Sequence, residues 1–143
     1  MTIDEAHDLA RFLEAQKGDY ERAFSEISSG RKLTHWMWYI FPQIAGLAHS
    51  PTSIRFAIKG VAEARAYLDH AVLGPRLIGC TEALLDLTGL SATEIFGTPD
   101  DLKLRSSATL FAFISPPASV FDRLIGKYFD GERDVKTLAL LAL

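Results

Sequence analysis

The sequence predicts an all-α fold, on three observations. Apolar residues recur at three- and four-residue spacing along most of the chain. Ser, Thr, Asp and Pro stand where helices would begin, and Gly where they would end. The densest apolar stretch, His35 to Gln43, lacks the alternation of a half-buried strand. The predicted architecture is a compact single-domain bundle of about seven or eight short helices spanning residues 1–143.

Each element has its own signal. After Asp4 as N-cap, Leu9, Phe12, Leu13 and Gln16 line one face of a first helix, which Gly18-Asp19 interrupts. Tyr20, Ala23, Phe24 and Ile27 then fall at i, i+3, i+4 and i+7, a core-facing stripe stopped by Gly30. Thr34 is placed to cap a short buried helix through the aromatic run, closed by Pro42. The stretch "GLAHSPTS" reads as a loop, and "IRFAI" as a short extended piece or irregular turn.

A short helix from Val61 to Leu68 precedes a break at Asp69-His70. Leu77, Cys80, Leu84 and Leu87 mark a longer helix ending near Gly89. "SATE" at Ser91–Glu94 has the spacing at which serine and glutamate satisfy each other's exposed backbone donors. That helix is brief, because Gly97 and Pro99 follow. Thr98-Pro99-Asp100-Asp101 combines a cap, a proline in the first turn, and carboxylates that the helix dipole favours. Ser115-Pro116-Pro117 ends the helix begun there. Phe121, Leu124, Ile125 and Tyr128 define another, stopped by Gly131, and Asp134 caps the last.

Composition bounds the function. With 48% hydrophobic and 23% charged residues and no low-complexity tract, the chain is expected to fold throughout, burying about two-thirds of the surface its unfolded form exposes. A formal net charge of -3 and no basic stripe argue against nucleic-acid binding, though not against one anionic ligand. The lone Cys80 cannot form an intramolecular disulfide and suits a reducing cytoplasm. The acidic, amphipathic N-terminus is unlike a secretory signal, and no segment approaches the ~18 consecutive apolar residues of a membrane span. The expectation is a cytoplasmic protein without membrane contact.

The segments "SGRKLTHWMWYIFPQIAGL", "AYLDHAVLGPRL" and "EIFGTPDDLKLRSSATLF", in this order, resemble a family of small bacterial and plant proteins of uncharacterised function. The resemblance covers nearly the whole chain, and the aromatic block is its most specific signature. It implies a compact all-helical fold with distantly globin-like packing, and it brings no established catalytic activity with it. Such sequences are sometimes labelled calpastatin; that inhibitor is disordered, whereas this chain has the composition of a folded core, so the label does not transfer. Ala108 departs from the family's usual pattern, in which a methionine precedes the Thr-Leu-Phe, an exchange that would either leave room beside the helix or be absorbed by packing.

Three constellations are candidates for chemistry. In the aromatic block His35, Trp38 and Tyr39 share one helix face, and Trp36, Ile40 and Gln43 another. Core packing accounts for most of that aromatic surface; a Trp face bordering a pocket would stack a planar ligand, with His35 and Gln43 supplying hydrogen bonds at its edge. On the helix begun by Pro99, Lys103, Ser106 and Thr109 make a polar stripe in which a Lys-Ser pair would activate the serine if burial lowered the lysine's pKa; Asp101 and Arg105 read as an ordinary surface pair. In "DHAVLGPR", Asp69 could orient His70, though a helix-ending turn is the commoner role for adjacent residues; Arg76 is able to hold a carboxylate or phosphate, or to make a structural ion pair.

Metal and phosphate-loop signatures are absent from the sequence, so no metal and no cofactor are expected. The leading expectation is a pocket beside the aromatic helix for a small anionic or planar ligand, lined by His35, Trp36, Trp38, Gln43, Arg76, Lys103, Ser106 and Thr109. The alternatives are an enzyme acting on a nucleotide-type metabolite and a protein-interaction module. The apolar C-terminus "TLALLAL" belongs with the latter, and the expected state is a monomer or weak homo-oligomer.

Overall fold

Eleven helices and one isolated backbone bridge make up the structure, a computed structural model that describes residues 1–143. In order these are α1 (Ile3–Ala6), α2 (Ala10–Gln16), α3 (Tyr20–Ser28), α4 (Met37–Ile40), α5 (Pro51–Phe56), α6 (Val61–Asp69), α7 (Leu73–Asp86), α8 (Ala92–Phe96), α9 (Asp100–Phe113), α10 (Val120–Phe129) and α11 (Val135–Leu141). No helix is long and apolar enough to cross a membrane.

The all-α reading holds, with more and shorter helices than the periodicity suggests. The first helix is two. Thr2, rather than Asp4, caps α1 through a reciprocal bond with Glu5, and the chain breaks where Asp8 takes a left-handed conformation (φ 49°). Arg11 holds this break together with all five of its N–H donors. They reach the carbonyls of His7 (2.7 Å), Asp8 (2.8 Å), Arg55 (2.8 Å) and Ala57 (2.9 Å) and Glu63 Oε2 (2.7 Å). One buried guanidinium thus joins the first turns to the end of α5 and to α6.

Two other local readings change. "IRFAI" is split: Ile54 to Phe56 complete α5, and Ala57 and Ile58 are extended, Ile58 bridging Ile44. Thr34 caps nothing; α4 starts later, after Trp36, and Thr34 turns to Glu26 instead. The capping box of Ser91 with Glu94 and the Asp134 cap of α11 form as anticipated.

Helix α9 is the axis of the fold, packed by α6, α8, α10 and α11, while α7 joins α3, α6 and α10. Its residues from Ser106 to Ala112 are all buried, which small side chains permit by letting neighbours approach from every side. Ala108 lies within this buried run. An aromatic chain crosses the core from Tyr39 through Phe56, Phe12, Tyr67 and Phe111 to Phe121, with centroid spacings of 4.9–5.9 Å. Each such pair contributes about 0.5–1.5 kcal/mol beyond simple burial.

Among the glycines, Gly74 at the α6–α7 corner has the closest neighbour. A Cβ on Gly74 would stand 2.0 Å from the Leu68 carbonyl oxygen, so no other residue fits there. His70 makes the helix-ending turn read from the sequence: its Nδ1 accepts from the backbone N–H of Val72 (3.0 Å) and Leu73 (3.2 Å). Asp69 does not orient it; Asp4 stands 3.6 Å from Nε2 instead.

Candidate functional site

The two tryptophans of the block have different fates. Trp36 is 1% exposed and packs edge-on against Phe96, with Phe41 completing a triangle of rings. Its indole N–H donates to Glu26 Oε1 at 2.9 Å. The same oxygen accepts from the backbone N–H of Leu33 (2.7 Å) and Thr34 (3.0 Å), and Oε2 from the Thr34 hydroxyl (2.7 Å). Burial by itself would raise the Glu26 pKa, but these four bonds outweigh it and hold the carboxyl at about 2. Glu26 is therefore an anion with no cationic partner, the anchor that seats the block. The sequence does carry a signal for it: a glutamate three residues after Ala23 and beside Ile27 falls on the buried side of α3.

Trp38 is half-buried, and the Lys103 ammonium stands 5.3 Å from its ring centroid. Lys103 shares a single carboxylate, Asp100, with Lys32, at 3.5 Å and 2.9 Å respectively. Lys32 also donates to the Thr34 carbonyl (2.7 Å) and lies 5.0 Å from the Trp36 centroid. Two lysines share one aspartate between the two indoles. The second anion at the block, Glu26, is spent on the buried Trp36 side, so Lys103 stands beside the open indole with only a shared carboxylate. Neither Lys32 nor Asp100 stands out in the sequence, because the first precedes the helix and the second is one of two adjacent aspartates.

Beneath Trp38 lies a cavity of about 20 Å³, lined also by Gln43, Ile44, Ser53 and Phe56. It has room for about one water molecule. Gln43 uses its backbone carbonyl to accept from Ile58 (2.8 Å), and its side-chain amide has no partner within the protein. His35 is exposed; only its carbonyl is engaged, by the Tyr39 hydroxyl at 3.1 Å.

Arg76 belongs to a different, interior network. It donates to Gln16 Oε1 (3.2 Å) and lies 4.6 Å from the Tyr20 centroid, with no carboxylate in ion-pair range. Gln16, 2% exposed, donates onward to the Tyr39 carbonyl (2.8 Å) and the Tyr67 hydroxyl (3.1 Å). Burial raises the Tyr67 phenol and pushes the neighbouring Cys80 thiol up to about 12, with Arg76 opposing both.

Ser106 and Thr109 face α11, away from the shelf. Their hydroxyls donate to the carbonyls of Leu102 (3.2 Å) and Arg105 (2.8 Å), and Thr109 Oγ1 accepts from the Asp134 N–H (3.0 Å). No hydrogen bond joins Lys103 to Ser106. The neighbouring Ser107, 1% exposed, has a hydroxyl without a partner. Asp101 and Arg105 do not pair on the surface: Asp101 is buried and accepts from the Thr93 (2.7 Å) and Thr98 (3.3 Å) hydroxyls, and Arg105 turns toward Asp134.

The eight sequence-derived candidates thus divide. Trp38, Gln43 and Lys103 come together, with His35 nearby in the chain; Trp36 is interior; Arg76, Ser106 and Thr109 lie elsewhere.

Residues 6–141 match a family described as "Protein of unknown function (DUF1810)". The chain belongs to this family. Its fold is similar to the crystal structure, at 1.38 Å, of the conserved hypothetical protein Rv1873 from Mycobacterium tuberculosis. The two share 48% identity and a TM-score of 0.94, over 96% of this chain and 99% of the other. No protein with curated function matches. The DUF1810 chain is therefore one of an uncharacterised family, and its chemistry rests on its own geometry.

Proposed function

We propose that this DUF1810 protein binds a small anionic ligand with a planar ring on the Trp38–Lys103 shelf. The observation that carries this reading is the Lys103 ammonium over a half-exposed indole while its one carboxylate is shared with Lys32. An anion joining the shelf gives Lys103 a partner of its own, and a ring stacks on Trp38. Gln43 and His35, whose side chains have no internal partners, supply hydrogen bonds at either end of the block. The cavity of about 20 Å³ under Trp38 is too small for a ring, so the ligand lies on the open face. A free, buried thiol at Cys80 fits a cytoplasmic setting.

The test is a thermal-shift series with aromatic carboxylates and nucleoside monophosphates. At a hundredfold excess over Kd, a ligand of the folded state stabilises it by about 2.7 kcal/mol. We expect one class to raise Tm, and Lys103→Met and Trp38→Leu each to weaken binding at least tenfold. Unchanged affinity in both variants, or no response to either class, overturns the proposal.

A further inference from the structure

The arginines of this protein differ in how fully their donors are used. Arg11 spends all five on acceptors within 3 Å. Arg105, on α9, makes no side-chain hydrogen bond: its Nε is buried without an acceptor, and Nη2 comes only within 3.9 Å of Asp134 Oδ1. Asp134 is not free to close that gap. Its Oδ2 is held by the Thr137 N–H (3.0 Å) and hydroxyl (2.6 Å), and its own N–H by Thr109. The Arg105 side chain keeps 28% of its surface exposed, so its Nη donors stay open to the groove while the buried Nε goes without an acceptor.

In front of Arg105 a groove of about 760 Å³ runs between α9 and the start of α11, lined also by Ser106, Arg133, Lys136 and Glu132. That volume lies in the range of small-molecule sites, about 300–1,000 Å³. Arg133 is committed to Asp122. Lys136 is exposed and joins none of the ion pairs, so Arg105 and Lys136 are the two cations of the groove that make no side-chain hydrogen bond. The carboxylates of Glu132 and Asp134 on the same groove balance these two cations, so an oxyanion is held by directed donors and not by a net charge.

We infer that this groove is a binding site for the oxyanion group of a small molecule, a carboxylate or a phosphate. The Nη edge of Arg105 takes it in a fork, and Lys136 meets its other side. The site is independent of the shelf proposed above. Arg105 follows Lys103 by two residues, about 200° round α9, so the two side chains leave opposite sides of the helix.

Amide and arginine Nε–H NMR spectra, recorded during titration with inorganic phosphate and with succinate at constant ionic strength, test this. Sodium chloride is the control. We expect saturable shifts at Ser106, Arg105 and Lys136 with at least one of the two probes. Which one responds tells phosphate from carboxylate. Arg105→Met, which keeps the packing of the stem, should weaken binding at least tenfold, and Lys103→Met should leave it unchanged. If Arg105→Met does not fold, Lys136→Ala serves, with an expected loss of at least threefold. Shifts no larger than those with chloride, or a variant of Arg105 or Lys136 that binds as tightly as the unaltered protein, overturn the inference.

Discussion

Replacing Glu26 should unseat the aromatic block. Its carboxylate accepts two backbone N–H groups, one hydroxyl and the indole N–H of Trp36. In Glu26→Ala the indole N–H, on a residue 1% exposed, is left with no acceptor, at a cost of about 1–3 kcal/mol; two partly buried backbone donors add to it. We expect a total near 3 kcal/mol. Glu26→Gln keeps one acceptor oxygen but loses the charge that strengthens each bond, and should cost about half as much.

The pH dependence separates the charge from mere packing. The folded value, about 2, lies below the ordinary 4.5 that the unfolded chain recovers. Between those values the unfolded chain takes up a proton that the folded chain refuses, so acid favours unfolding. The contribution is full above pH ~5 and is lost as pH falls through about 2. Urea unfolding followed by tryptophan fluorescence from pH 7 to 2.5, on the unaltered protein and Glu26→Gln, isolates this group, since all other carboxyls are common to both. The stability gap should close on acidification. A gap of less than ~0.5 kcal/mol at pH 7, or one that persists unchanged at pH 2.5, refutes this role for the carboxylate.

Two further expectations concern packing. Gly74→Ala should cost 3 kcal/mol or more, because a Cβ 2.0 Å from the Leu68 carbonyl forces α6 and α7 apart, whereas Gly126→Ala in α10, with open space around it, should stabilise by roughly 0.5–1 kcal/mol; equal effects in denaturant titrations would contradict the tight α6–α7 corner. Cys80, buried with its thiol pushed up to about 12, should resist a maleimide at pH 8 and react fully in urea, and labelling of the native protein within minutes would contradict its burial.

The long helices were legible because two or more turns repeat an apolar stripe, as in α3, α7 and α10. The short ones were not. A single turn such as α1 or α4 has no repeat to read, and it is fixed by partners remote in the chain. Arg11, which secures the broken α1–α2 junction, reaches residues 44 to 52 positions away. Thr34 illustrates the same limit from the other side. A threonine before an apolar run is a sound cap signal, but Glu26 offers its hydroxyl a carboxylate and its N–H an acceptor, and the charged bonds win.

Spacing along one helix says which residues share a face, not which helix will cover it. Lys103, Ser106 and Thr109 read as one stripe, yet α9 is covered all round, so Lys103 meets the aromatic block while Ser106 and Thr109 meet α11. The same rule explains the two tryptophans. Positions 36 and 38 stand about 200° apart where the chain turns into α4, so they point to opposite sides of it. One is drawn inward by a carboxylate that the preceding helix supplies; the other is left half in solvent beside a lysine pair that shares one aspartate. The block is therefore both core and shelf, and the polar groups that distinguish its two sides, Glu26 and Lys103, lie outside it.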